Sequence, residues 1–278
     1  MESESAPDLH SLLEKTTHEV QARRLSTDGT PPRVETCRLV VEEPLTIDIE
    51  GVGSYTLMCT PGDSMALAVG FAFTEGVIAG LSDIATLYRC EDDPRIVRLR
   101  LAHPPAGETA QRNLPVASSC GMCGSLRSLE DLLADVPPVG DSLQLSSGRL
   151  QEAAREMREH QRLFVETGGT HAAGIFNAPG ELLALAEDMG RHNALDKAIG
   201  RCLLARRALP GGWAMLSGRV SLELVSKAAR AGLELLAAVS APSSLAVQAA
   251  EQWNMTVCGF VRGDRATVYT HERRVLPS

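Results

Sequence analysis

From Thr170 to Tyr269 the chain alternates short apolar runs with helical segments, and most of the turns between them hold Gly, Ser or Pro. Strands are predicted near 171–177, 181–187, 213–217, 234–239, 255–261 and 266–270. Helices are predicted at 191–206, 221–231 and 242–251, with a charged helix at 147–161 ahead of them. Strands alternating with helices argue for a sheet covered on both faces.

The order α-β-β-α-β-α-β-α-β resembles the cytidine deaminase scaffold, read as a three-layer α/β/α sandwich. A likeness of order carries no chemistry by itself. A zinc deaminase needs H-x-E at one helix start and P-C-x-x-C at the next. The corresponding helix starts here read Arg191-His192-Asn193-Ala194 and Gly218-Arg219-Val220-Ser221, so no zinc is expected.

The first half reads as a small α+β domain, and the chain as a whole as an α/β protein. Strands are predicted near 35–42, 44–51 and 54–60, with a hairpin turn at Gly51–Ser54. Pro61-Gly62-Asp63 then stops the strand. The helix from 64 to 76 is apolar almost all round and so should be buried. Further strands are expected near 84–90 and 95–102. Residues 103–124 form a polar, proline-rich loop, a helix is expected at 125–134, and Pro137-Pro138 open a linker. The boundaries read as a mobile tail at 1–32, one domain at 33–136 and a second at 140–278.

A formal net charge of −8 argues against a general nucleic-acid binder. With 4% aromatic residues, stacking platforms for single strands are scarce. The longest apolar run, Met65–Phe73, is about half a bilayer span, and the acidic N-terminus lacks an apolar targeting stretch. The reading is a cytoplasmic protein that binds neither membrane nor nucleic acid.

Of seven cysteines, Cys37, Cys59, Cys90, Cys202 and Cys258 are scattered singly and read as small packing residues. Cys120 and Cys123 are spaced as a chemical pair. They lie between Gly121 and Gly124 in the long loop, just before the expected helix. One CxxC admits structural zinc, a redox dithiol or a sulfur carrier. A helix start lowers a nearby thiol's pKa, which favours the reactive readings.

Three strand-to-helix turns stand at Gly190-Arg191-His192, at Ser217-Gly218-Arg219 and at Ser240-Ala241-Pro242. Turns of this kind line the crevice beyond the carboxyl ends of an open sheet, and helix N-termini there favour phosphates. Each also serves as an ordinary helix cap. The stretch Gly259-Phe260-Val261-Arg262-Gly263-Asp264-Arg265 ends a strand in a turn with two arginines, whose forks suit phosphate or lie solvated on a hairpin. In Thr167–Gly174, His171 reads more readily as a packed core histidine than as a catalyst.

The segments SSCGMCG, TGGTHAAG, EDMGRHNALDK, SGRVSLELV, SAPSSLA and GFVRG run in one order along residues 34–269. In this the chain resembles the FdhD family of formate dehydrogenase accessory proteins. The resemblance implies a sulfurtransferase that accepts sulfur from a cysteine desulfurase and passes it to the bis(molybdopterin guanine dinucleotide) cofactor of a formate dehydrogenase apoenzyme. Cys120 then matches the persulfide cysteine, and Cys123 its partner. Phe260, Val261, Arg262, Gly263, Asp264 and Arg265 match the cofactor-binding segment, with GDP as a mimic of that ligand. Arg191, His192, Ser217, Arg219 and Ser240 are expected to face the same ligand, and the protein is expected to be a homodimer. Two other readings remain beside it: a chaperone that binds the cofactor without moving sulfur, and a thiol oxidoreductase cycling Cys120 and Cys123.

Overall fold

The computed structural model describes residues 9–103, 114–116 and 136–277. The reading of residues 1–32 as a tail does not hold for its described part. Helix α1 (Leu9–Thr16) leads into strand β1 (Thr17–Arg24), which pairs antiparallel with β2 (Arg33–Val40), Thr17 opposite Val40 and Arg24 opposite Arg33. β1 carries only Val20 and Ala22 among polar residues, so its pairing rests mainly on backbone hydrogen bonds and gives little hydrophobic signal to read. β2 was expected in the first domain, yet it lies outside that domain's sheet.

The first sheet has the order β5-β6-β3-β4-β7, from β3 (Glu43–Ile49), β4 (Gly53–Cys59), β5 (Ile84–Arg89), β6 (Ile96–Leu101) and β7 (Leu114–Val116). β3 runs parallel to β6 and β4 parallel to β7, while the β3–β4 and β5–β6 pairs are antiparallel. Apolar–polar alternation turns Leu45, Ile47, Ile49, Leu57, Val97 and Leu99 to one face. That face packs on α2 (Ser64–Thr74), whose apolar residues are buried nearly all round as expected. The expected helix at 125–134 lies outside the described residues.

In the second half, β8 (Leu145–Ser146) leads into α3 (Ser147–His160), whose N-cap Ser146 hydroxyl accepts a hydrogen bond from the Arg149 N–H. A short helix α4 (Arg162–Thr167) follows, and it holds the β1–β2 ribbon: Arg38 Nη1 lies 2.6 Å from Glu166 Oε2. The second sheet comprises β9 (His171–Phe176), β10 (Leu182–Asp188), β11 (Trp213–Leu216), β12 (Leu235–Ala238), β13 (Thr256–Arg262) and β14 (Arg265–Val268), in the order β10-β9-β11-β12-β13-β14. β11, β12 and β13 are parallel. β9 is antiparallel to both β10 and β11, so β10 runs the same way as the parallel set.

Successive residues of these strands face opposite sides. Ala173, Ile175, Ala214, Leu216, Leu236 and Ala238 pack beneath α5 (Arg191–Leu204), α6 (Leu222–Arg230) and α7 (Ser244–Gln252). Ala172, Phe176, Trp213, Met215, Leu235 and Val261 pack on the other side, beneath α3. The fold is thus mixed α/β with helices on both faces of this sheet. A last short strand, β15 (Val275–Leu276), returns to pair with β8.

α2 crosses α5 at two glycines. A side chain on Gly70 would run into the Asp196 carbonyl, and one on Gly200 into the Ala66 carbonyl. Helix α2 is therefore sandwiched between the first sheet and α5. Among the described residues no helix is long and apolar enough to cross a membrane.

Candidate functional site

Because β10, β11, β12 and β13 run in one direction, their carboxyl ends reach the same edge of the sheet. The start of β9 and the β13–β14 hairpin lie there too. The three predicted turns are joined along this edge. The Ser217 hydroxyl accepts from the Ala172 N–H at 2.8 Å, while the Ser217 N–H donates to the Ala172 carbonyl at 3.0 Å. Gly218 lies against the His171 ring and the Arg191 side chain, leaving no room for a Cβ without a shift. Val220 donates to the Ala241 carbonyl at 3.1 Å and accepts from Ser243 at 2.9 Å. The Phe260 N–H in turn reaches the Ser240 carbonyl at 3.1 Å. Arg191, His192, Ser217, Arg219, Ser240 and Phe260 thus share one continuous edge of the sheet. At the third turn Ser243 also caps α7, accepting from the Ala246 N–H.

The charge at this edge is positive. Arg219 is exposed, and Arg191 Nε is buried without a hydrogen-bond partner among the described residues. Burial, with Arg191 and Arg219 nearby, pushes the His171 pKa below 6.5 and outweighs the opposing pull of Asp188. His171 is therefore neutral around neutral pH and offers one donor and one acceptor. His192 is buried, its Nε2 3.2 Å from the Ser221 hydroxyl and 3.3 Å from Glu223 Oε2.

Most of the EDMGRHNALDK segment holds the structure together. Glu187 accepts from the Leu163 and Phe164 N–H groups and from the Thr170 hydroxyl. Asp188, wholly buried, accepts from the Thr60 and Gly190 N–H groups and from Asn193, and pairs with Lys197 Nζ at 2.7 Å. Lys197 also donates to the Thr60 carbonyl, and Asn193 to that of Met58. These bonds fasten the end of β4 to the first turn of α5. Nothing local in the sequence signals them, because the partners stand about 130 positions apart.

The β13–β14 hairpin stands at the far end of this edge. Arg262 pairs with Arg265 across a two-residue turn in which Gly263 takes a positive φ of 61°. Arg262, Asp264 and Arg265 are exposed, and the Arg262 guanidinium lies 5.7 Å from the centre of the Phe260 ring. Phe260 is itself at φ 53°, in the left-handed region that disfavours a bulky side chain. Val261 is fully buried under α3, so its side chain packs the core and is not available to a ligand. Tyr269, missed in the sequence, stands exposed beside Gly259.

Cys120 and Cys123 lie outside the described residues. Of the other five cysteines, Cys59, Cys202 and Cys258 are buried, and burial pushes their thiols up to about 12, 11 and 12. Such thiols remain protonated and are poor nucleophiles.

The FdhD/NarQ family matches residues 40–276. A protein named sulfur carrier protein FdhD from Bordetella bronchiseptica is 40% identical over 84% of this chain and 86% of its own length. One of the same name from Mycobacterium tuberculosis is 39% identical over 92% of this chain and 97% of its own. A solved structure described as a formate dehydrogenase accessory protein from Desulfotalea psychrophila superposes with a TM-score of 0.74, covering 94% of this chain and all of that one at 23% identity. That likeness shows a shared fold.

Proposed function

The chain belongs to the FdhD/NarQ family, and from that premise we propose that it is a formate dehydrogenase-associated sulfur carrier, loaded as a persulfide on Cys120. The donor is a cysteine desulfurase. The Cys120 thiolate attacks the outer sulfur of the donor's persulfide; the donor's S–S bond breaks, and the donor leaves as a thiolate. The exchange is redox-neutral and follows ordinary thiol–disulfide chemistry. The acceptor is the bis(molybdopterin guanine dinucleotide) cofactor, held in the crevice by Arg191, Arg219 and Arg262. The helices on both faces of the six-stranded sheet support reading that half as a three-layer sandwich of the cytidine deaminase type.

One observation carries this reading. β7 runs parallel to β4, with Val116 opposite Leu57. From Leu57, β4 proceeds directly to Thr60, which is bonded to Asp188 and Met189 at the crevice edge. Cys120 follows Val116 by four positions, a tether of at most about 14 Å. The strand that precedes the cysteine pair thus points at the crevice.

Incubation with a cysteine desulfurase and cysteine should add one sulfur atom to the intact protein, as read by mass spectrometry. The sulfur should be absent in Cys120→Ala and removed by reductant. A wild-type protein that gains no sulfur yet binds GDP would point to a cofactor chaperone. Equal dependence on Cys120 and Cys123, with a disulfide between them, would point to an oxidoreductase.

A further inference from the structure

His192 lies in the first turn of α5, at the carboxyl-end edge of the second sheet, with its ring turned to the start of α6, and from there a line of charged groups leads inward to the junction between the two halves. Its Nε2 lies 3.3 Å from Glu223 Oε2, on the first turn of α6. One helical turn further along α6, Lys227 Nζ is held by Asp196 Oδ2 and Glu75 Oε1, each at 2.9 Å, and by the Thr74 hydroxyl at 3.0 Å. Burial works against the charge on Lys227, but Asp196 and Glu75 outweigh it and keep the amine protonated. Around Glu223, then, three carboxylates (Glu223, Asp196, Glu75) face two fixed cations, Lys227 and Arg191. One added proton brings that cluster to neutrality.

We propose that His192 and Glu223 form a proton-holding pair in the crevice, and that an anionic ligand binds there together with a proton. Glu223 acts as a positioning residue: it fixes the His192 ring and stabilises the imidazolium. The inference rests on the crevice reading above and adds its dependence on protons. Burial raises the Glu223 pKa, with Glu75 and Asp196 adding to the effect against Lys227 and Arg191, so the pair as a whole holds a proton more tightly. The other charged groups near the pair are Asp188 at the end of β10, His171 on β9 and Arg219 in the next turn. Asp188 is neutralised by Lys197. His171 is held neutral by burial and by Arg191 and Arg219. Negative charge arriving beside the pair raises its proton affinity, so by linkage binding strengthens as pH falls.

The test uses diguanosine pyrophosphate, whose diester phosphates stay ionised across neutral pH, so that any proton taken up belongs to the protein. Calorimetry in buffers of different ionisation enthalpy should show uptake of a proton on binding to the full-length protein. Affinity should fall as pH rises, by up to about tenfold per pH unit for one proton taken up. Glu223→Gln should abolish the uptake near neutral pH, and Glu223→Asp should restore part of it. In the unmutated protein, NMR of the His192 ring should show it protonating when ligand is added at constant pH, a readout that does not depend on any variant folding. Binding without proton uptake, or uptake unchanged in Glu223→Gln, overturns the inference while leaving the crevice reading intact. No binding at any pH overturns both.

Discussion

Phe260 holds a backbone conformation that costs a side-chain-bearing residue about 1 kcal/mol or more, and it does so at the carboxyl-end edge of the second sheet beside an exposed arginine. Strain of this kind is kept where it serves a site. Phe260→Gly should therefore raise the stability read by urea unfolding by about 0.5–1 kcal/mol while weakening GDP binding; a clear loss of stability would mean that the ring is structural. Arg191, Arg219 and Arg262 make a parallel case: alanine at each should weaken GDP binding, and unchanged affinity would remove that arginine from the site. Asp188 and Lys197 behave in the opposite way, as structure without chemistry. Removing one partner of a buried, hydrogen-bonded pair leaves the other charge unpaired, so Asp188→Asn should cost about 3–5 kcal/mol in denaturant unfolding. His171 adds a pH dependence. Its folded pKa lies below the unfolded value of about 6.5, so the unfolded chain takes up the proton first. Its contribution to stability is complete above about pH 6.5 and is lost as pH falls through the folded pKa. His171→Asn should flatten the fall in melting temperature on that acid side; an unchanged slope would assign the fall to other groups.

At the scale of elements, the order of strands and helices in the second half was legible because runs such as Trp213–Leu216 and Leu235–Ala238 are apolar without interruption and are punctuated by Gly, Ser and Pro. Helix α2 was legible for the same reason: a segment apolar on every side has nowhere to lie but inside. That the three turns share an edge followed from strand direction alone, since turns at the carboxyl ends of parallel strands must lie together. Strand β1 was not legible, because Thr17–Arg24 holds only Val20 and Ala22 among polar residues and its partner begins nine positions beyond its end. Nor could the sequence divide EDMGRHNALDK into clamp and site. Asp188, Asn193 and Lys197 look as reactive as Arg191 and His192 until Met58 and Thr60 are seen beside them. The α2–α5 crossing was equally hidden, since each glycine acquires its meaning only from the opposite helix. Gly70→Ala or Gly200→Ala should force the helices apart and cost at least about 1–3 kcal/mol. Denaturant midpoints within experimental error of the unmutated protein would show that the crossing has slack.

At the scale of the whole molecule, the two sheets share α2 and α5, the Asp188–Lys197 clamp and the Lys227 cluster. The prediction is a single cooperative transition: fluorescence of Trp213 and Trp253, both in the second half, should report the same unfolding midpoint as far-UV circular dichroism of the whole chain. Two separated midpoints would refute the coupling. The burial of α2 on every side also has a consequence for how the protein is made. When Thr74 leaves the ribosome, one face of its helix can settle on the first sheet, but the residues that cover the other face are not synthesised until Leu204. At about 5–20 residues per second, the nascent chain carries a bare greasy helix for on the order of ten seconds. A ribosome stalled after residue 136 should therefore display a chain that binds a hydrophobic dye and recruits holding chaperones, and one stalled well beyond residue 204 should not.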